Sequence, residues 1–455
     1  MVQELKRTLS LKTSIGIVVA NMIGSGIFIT SGLISGMLPS ASWVIICWGI
    51  GGVLALLGAL CYSELATRMP YAGGEYVYLN ILYHPLFGFL SGWTSFIVGF
   101  SAPIAGSAIG FSEYLFAGFS LDALSDSTQI ILKKITSVAI VIIFTTLHYQ
   151  GIKKGSAVQN LLVIIKVLFI LGIIIMGFIL GDVKWENIDL RFEDYAGSEE
   201  MAIGTAMMLV MFSYSGWNAS SYIASEIRNP KRNITLSLLL GTSIVIVLYL
   251  GINLFFFTSI PYEEVNQTVT IGEAASVTVF GQSAGKIISI IIALILLSSI
   301  SAFTMIGPRI YYAMAKDGLF FNFAKRIHKK YEVPSRSILI QGVLAAIFVI
   351  FSSLEQLLIY LYYALNIFPI LAVLGLFIAR RKKIGLDNCY KVVGYPFTPL
   401  LFLMGSFYLA IIAFVNRPIE SSAALITVAL GIPLYFIWLK LRNDKAKSAS
   451  IVDSK

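Results

Sequence analysis

Three features of this sequence predict an all-α integral membrane protein of twelve transmembrane helices, two of them broken at mid-length. Hydrophobic residues make up 57% of the 455 and charged residues only 13%, a balance that soluble chains of this size do not show. The apolar residues run in continuous stretches of bilayer length instead of alternating, which selects helices over a β-barrel. Two of these stretches are interrupted by short runs of glycine and serine, Gly24-Ser25-Gly26 and Ser213-Tyr214-Ser215-Gly216, about 190 residues apart. Interrupted helices in corresponding positions of two halves are the best sequence pointer to a substrate site between structural repeats.

A hydrocarbon core takes about 20 apolar residues per helix. By that ruler the spans are 14–36, 43–66, 84–116, 135–151, 156–180, 200–225, 235–259, 284–315, 337–353, 356–379, 398–415 and 421–440, numbered 1 to 12. Span 1 carries the first break at its centre and lacks a small-residue cleavage pattern, so it is expected to stay as a functional helix and not to be removed as a signal peptide. Gly32 to Gly36 at its end and Gly49 to Gly52 in span 2 suit close helix packing. Span 5 holds the charged residue Lys166, and span 6 holds the second break. Pro70, Pro230 and Pro334 fall in the turns between spans, where a missing amide costs nothing.

Orientation follows from the basic residues. With both termini cytoplasmic, 26 Lys and Arg fall on the inner side, six on the outer side and Lys166 within a span, accounting for all 33. That asymmetry predicts cytoplasmic N and C termini. It also accounts for the net charge of +9: basic loops face anionic lipid, and no nucleic-acid partner is implied. The run Arg380-Arg381-Lys382-Lys383 is read as a topology anchor.

The breaks in spans 1 and 6 divide the chain into two inverted five-helix repeats, residues 1–180 and 200–379, followed by spans 11 and 12 at 398–440 and a cytoplasmic tail at 441–455. An unwound turn exposes backbone groups that hydrocarbon penalises, so it persists only where it faces protein, water or a ligand. At Gly24, Ser25 and Gly26 the free amides and the positive helix end suit a carboxylate. The carbonyls of Ile23, Phe212 and Ser213, at negative helix ends, suit an ammonium group. A zwitterionic α-amino acid carries both charges a few ångströms apart.

Four motifs carry a family resemblance: Asn21-Met22-Ile23-Gly24-Ser25-Gly26-Ile27-Phe28, Tyr71-Ala72-Gly73-Gly74-Glu75-Tyr76, Phe212-Ser213-Tyr214-Ser215-Gly216-Trp217-Asn218 and Ala315-Lys316-Asp317-Gly318-Leu319. In these residues the chain resembles the amino acid–polyamine–organocation superfamily and, within it, prokaryotic members of the L-type amino acid transporter family. The resemblance implies the LeuT-like five-plus-five fold and alternating-access transport of an L-amino acid. Carried over, the carboxylate site falls on Gly24, Ser25 and Gly26, and the amino-group site on carbonyls of Ile23, Phe212 and Ser215. Phe212 matches an aromatic residue that gates the site from outside. Ser215 stands where relatives with large substrates carry glycine, which narrows the pocket toward alanine, serine or threonine. Asn366 in span 10 stands where a large-substrate relative carries tryptophan and forms another wall of the side-chain pocket. A cationic substrate would want a carboxylate near the pocket, whereas Glu64, Glu75, Glu113, Glu226 and Glu355 are placed at span ends or in loops.

Lys166 lies about ten residues into span 5, roughly 15 Å deep. A lysine there costs on the order of 3 kcal/mol, so it should point inward to carbonyls or hydroxyls. By resemblance it is a built-in cation that replaces a bound sodium and links span 5 to span 1 and to Ser298 or Ser301 of span 8. If it stays charged, the resemblance implies a sodium-independent exchanger. If it releases its proton during the cycle, a proton-coupled symporter results, and a non-transporting sensor or channel on the same scaffold is the reading from another class.

Enzymatic function finds no support. His84, His148 and His328 lie at span ends or in loops, no Cys/His cluster has metal-ligand spacing, and neither a phosphate-binding loop nor a nucleophile elbow is present. No cofactor or metal is expected. Cys47, Cys61 and Cys389 lie in span 2 or on the inner side, and residues 113–134 contain no cysteine, so no disulfide-linked heavy subunit is expected.

Overall fold

The computed structural model describes residues 7–119, 125–188, 200–265, 270–351 and 354–453. Among the described residues the chain is helical apart from connecting turns, and the only extended pairings are two isolated bridges, Leu9 with Ile227 and Ala72 with Ile223. Ten of the twelve expected spans contain helices long and apolar enough to cross a bilayer, which makes this a multi-pass membrane protein. The other two, 200–225 and 337–353, are built on the shorter helices Glu200–Tyr214 and Ser335–Phe351. Two further short helices, Glu75–Leu82 and Ile271–Phe280, join spans 2 to 3 and 7 to 8. At eight and ten residues they are below the length that a bilayer ruler detects.

Span 1 consists of two helices, Leu11–Met22 and Gly26–Ser35. Helical geometry is lost at Ile23, with φ −78° and ψ 89°. Span 6 runs as a helix to Tyr214 and resumes for one turn at Ala219–Tyr222. Its break therefore starts at Ser215, two residues later than the Gly/Ser run suggests. The Ser213 hydroxyl donates to the Leu209 carbonyl one turn back at 2.9 Å, which helps complete the last turn of the helix. Gly216 has φ +95°, and a Cβ there would lie 2.8 Å from the backbone carbonyl carbon of Asn21. Both the turn and the approach of span 1 thus require glycine at that position.

Spans 1 and 3 are almost wholly buried, while spans 4, 5 and 12 turn most of their surface outward. Span 1 carries no charge between Lys12 and its end. Span 3 is interrupted by a single π turn at Ser95–Gly99, with Pro103 one turn further on. At the end of the bundle that the basic residues assign to the cytoplasm, the backbone of Leu9 exchanges hydrogen bonds with Glu226 and Arg228 at 2.9 and 3.0 Å. Glu226 also pairs with the buried Arg309 of span 8 at 3.0 Å. Glu64 of span 2 takes Arg68, Arg380 of span 10 and the Val392 amide. These ties gather the ends of spans 1, 2, 6, 8 and 10.

Candidate functional site

The two breaks lie side by side at the centre of the bundle. Gly26 packs on Ser213 with no room for a side chain, and the Ser213 hydroxyl oxygen lies within hydrogen-bond distance of the Thr30 hydroxyl at 2.9 Å. The amides of Ser25, Gly26 and Ile27 begin the second half of span 1 and have no intrahelical acceptor. Ser25 itself is buried against span 3, where Gly110 leaves room for it.

The carbonyls that end the first half of span 1 are held by protein donors. Lys166 is fully buried and donates from Nζ to the Ile23 carbonyl and, at 2.9 Å, to Ser299 Oγ. Ser299 in turn donates to the same Ile23 oxygen at 2.6 Å. Lys166 therefore joins spans 1, 5 and 8, and its span 8 partner is Ser299, between the two serines the sequence suggested. Side chains on a helix turn by about 100° per residue, and only Ser299 faces span 5 here. Ser301 instead meets His148 Nε2 of span 4 at 2.8 Å, and Ser298 Oγ is buried without a hydrogen-bond partner.

A residue without a sequence signal bridges the breaks. The Tyr249 hydroxyl of span 7 lies 2.6 Å from the Met22 carbonyl and 3.0 Å from the Ser213 carbonyl, so its one proton is shared between carbonyls of the two broken helices. Tyr249 is an ordinary aromatic in an apolar run, and composition gives no reason to single it out.

A cavity of about 90 Å³ adjoins the span 6 break, enough for several waters or one small solute. Phe212, Ser215, Gly216, Trp217 and Asn218 line it from span 6, with Asn366 and Tyr362 from span 10, Phe303 from span 8 and Gly99, Phe100 and Pro103 from span 3. Asn366 is anchored, donating to the Ser406 carbonyl at 3.2 Å and to the Tyr362 hydroxyl at 3.3 Å. Of the expected site residues, Phe212, Ser215 and Asn366 face this cavity. Ile23, Gly24, Ser25, Gly26 and Ser213 lie behind it, where only the neighbouring Asn21 of span 1 reaches the lining.

The cavity also touches Glu75. The sequence places this residue in a loop, but the helix Glu75–Leu82 folds back into the bundle and buries the carboxylate to 5% exposure. A carboxylate therefore does stand beside the pocket, against the expectation from position along the chain. Cysteines 47, 61 and 389 are unpaired and buried, and among the described residues no cluster of three or more acidic, histidine or cysteine side chains could hold a metal.

Residues 9–437 match the amino acid permease family. The chain belongs to that family. Within the amino acid–polyamine–organocation superfamily it falls among the L-type amino acid transporters, as its relatives show. This permease is 30% identical to the human b(0,+)-type amino acid transporter 1 over 98% of its own length and 91% of the relative's. It is 28% identical to the serine/threonine exchanger SteT of Bacillus subtilis, covering 95% and 97% of the two chains. The mouse large neutral amino acids transporter small subunit 2 is 25% identical over 99% of this permease and 86% of the relative. The family and these relatives are transporters and not enzymes, in keeping with the lack of catalytic motifs in the sequence.

Proposed function

We propose that this permease is a sodium-independent exchanger of small neutral L-amino acids such as alanine, serine and threonine, working by alternating access. The observation that carries the reading is Lys166 Nζ on the Ile23 carbonyl and Ser299 hydroxyl. It supplies a fixed positive charge between spans 1 and 8, the place where sodium-coupled transporters of this fold need a bound cation. The substrate carboxylate docks on the free amides of Ser25, Gly26 and Ile27. Lys166 and Ser299 use both lone pairs of the Ile23 oxygen, so the amino group depends on the Phe212 carbonyl and on Ser215. Ser215 and Asn366 limit the side chain to a small one.

The similarity to a bacterial serine/threonine exchanger supports both the substrate class and the exchange mode. Localisation in the cell membrane follows from the same relative. The permease works without a disulfide-linked heavy subunit, since all three of its cysteines are buried. The test is uptake of labelled L-serine and L-alanine into proteoliposomes, with and without internal amino acid, across sodium and proton gradients. Uptake that requires internal amino acid and ignores both gradients is the expected result. Uptake into empty vesicles driven by protons would replace exchange with symport, and binding without flux would make the protein a sensor.

A further inference from the structure

Glu75 sits on the helix between spans 2 and 3, outside the membrane-spanning segments. Its Oε1 accepts hydrogen bonds from the Tyr62 hydroxyl of span 2 at 2.7 Å and from Asn218 Nδ2 of span 6 at 2.8 Å. The Tyr222 hydroxyl is a third donor. All three partners are neutral. Tyr78 is the other titratable neighbour on its own helix. Span 10 brings Tyr362 to the same cavity, while spans 3 and 8 bring no ionisable side chain to it. Among the described residues no ion pair reaches Glu75. Burial of an ionised carboxylate without a counter-cation is costly, and it pushes the Glu75 pKa up to about 7, against the opposing pull of Tyr62, Tyr222 and Asn218.

The same groups hold the inner turn of span 6 in place. The Gly73 amide donates to the Tyr222 carbonyl at 3.0 Å, and Ala72 pairs with Ile223. At Gly74 a Cβ would collide with the Tyr222 ring. Residues 218–223 therefore cannot move away from span 2 without exposing Glu75 to water.

We propose that Glu75 is a proton-binding site that latches the inner turn of span 6: protonated, it keeps residues 218–223 against span 2 and closes that end of the cavity, and ionised, it favours the hydrated, open arrangement. The proton comes from the aqueous phase and sits on one carboxylate oxygen, while the other still accepts from Asn218. The inference rests on the alternating-access reading. A carboxylate with higher proton affinity when closed than when hydrated stabilises the closed form at low pH. That contribution is fully present below the ordinary carboxylate value of about 4.3 and is lost as pH rises through about 7. Opening toward the cytoplasm thus speeds up as internal pH rises through that window.

The test uses the purified full-length permease in lipid nanodiscs without any amino acid. Infrared difference spectra follow the protonated carboxyl band, and hydrogen–deuterium exchange, corrected for its intrinsic pH dependence, follows residues 218–223. A carboxyl band with a midpoint near 7 that disappears in Glu75→Gln is expected. Corrected exchange should slow about tenfold on going from about pH 8 to about pH 6 in the native protein and stay slow throughout in Glu75→Gln. Tyr62→Phe, which removes a donor to the ionised form, should raise the midpoint by about one unit and gives a second variant should Glu75→Gln fail to fold. No titrating band, an unmoved midpoint in Tyr62→Phe, or the same pH dependence in native protein and Glu75→Gln would overturn the assignment. These readouts need no substrate, so failure of serine exchange would count against the transport reading alone.

Discussion

In span 1 the carbonyls at the break are taken up by protein: Met22 by the Gly24 amide and Tyr249, and Ile23 by Lys166 and Ser299. In span 6 Tyr249 reaches Ser213, while the turn Ser215 to Asn218 lines an open cavity and leans on span 1 through Gly216. Both breaks release backbone groups, but one is buttressed by the buried Lys166 and the other borders a cavity. The buttressed break is held by side chains of spans 5, 7 and 8, and the open break borders the cavity. Buried polar groups need partners: side chains of other spans supply them at the span 1 break, whereas at the span 6 break the Phe212, Gly216 and Asn218 carbonyls take the amides of Ser215, Ala219 and Ser221.

The largest expected effect breaks the fixed side. Ser25→Leu puts a large side chain where Gly110 leaves space only for serine, at a cost of about 1–3 kcal/mol of overpacking, and should abolish amino acid exchange in proteoliposomes. Unchanged uptake would remove the span 1 break from the binding site. Lys166→Ala deletes the shared donor and should slow translocation about tenfold or more, with a much smaller change in half-saturation. Equal effects on both would mean that Lys166 only packs. Tyr249→Phe removes the hydroxyl common to the two breaks and should cost about 1 kcal/mol, lowering the melting temperature of the purified permease by about 1–3 °C. A melting curve identical to the native one would show that the breaks are held independently. The smallest effect belongs to the open side: Ser215→Gly should shift relative uptake from serine toward valine or leucine by about fivefold, and a specificity profile that stays in place would take Ser215 out of the selectivity wall.

What could be read from the sequence follows from what the membrane makes expensive. Gly24-Ser25-Gly26 and the Gly/Ser run in span 6 stand out because unwound backbone in hydrocarbon needs a reason, and Lys166 because a charge there needs partners. Which hydroxyl meets Lys166 was not legible, since Ser298, Ser299 and Ser301 share one stretch of span 8 and only its rotation against span 5 selects Ser299. Tyr249 is hidden for a related reason, being one aromatic among many in apolar spans. Glu75 was misplaced because distance along the chain says nothing about a loop helix that folds back beneath the cavity. The short helices at Glu75–Leu82 and Ile271–Phe280 and the two-residue offset of the span 6 break depend on the same tertiary packing.

Leu9 pairs through its backbone with Glu226 and Arg228, directly after the inner turn of span 6. This clip joins the chain entering span 1 to the chain leaving span 6, so neither segment can be displaced alone without breaking two backbone hydrogen bonds.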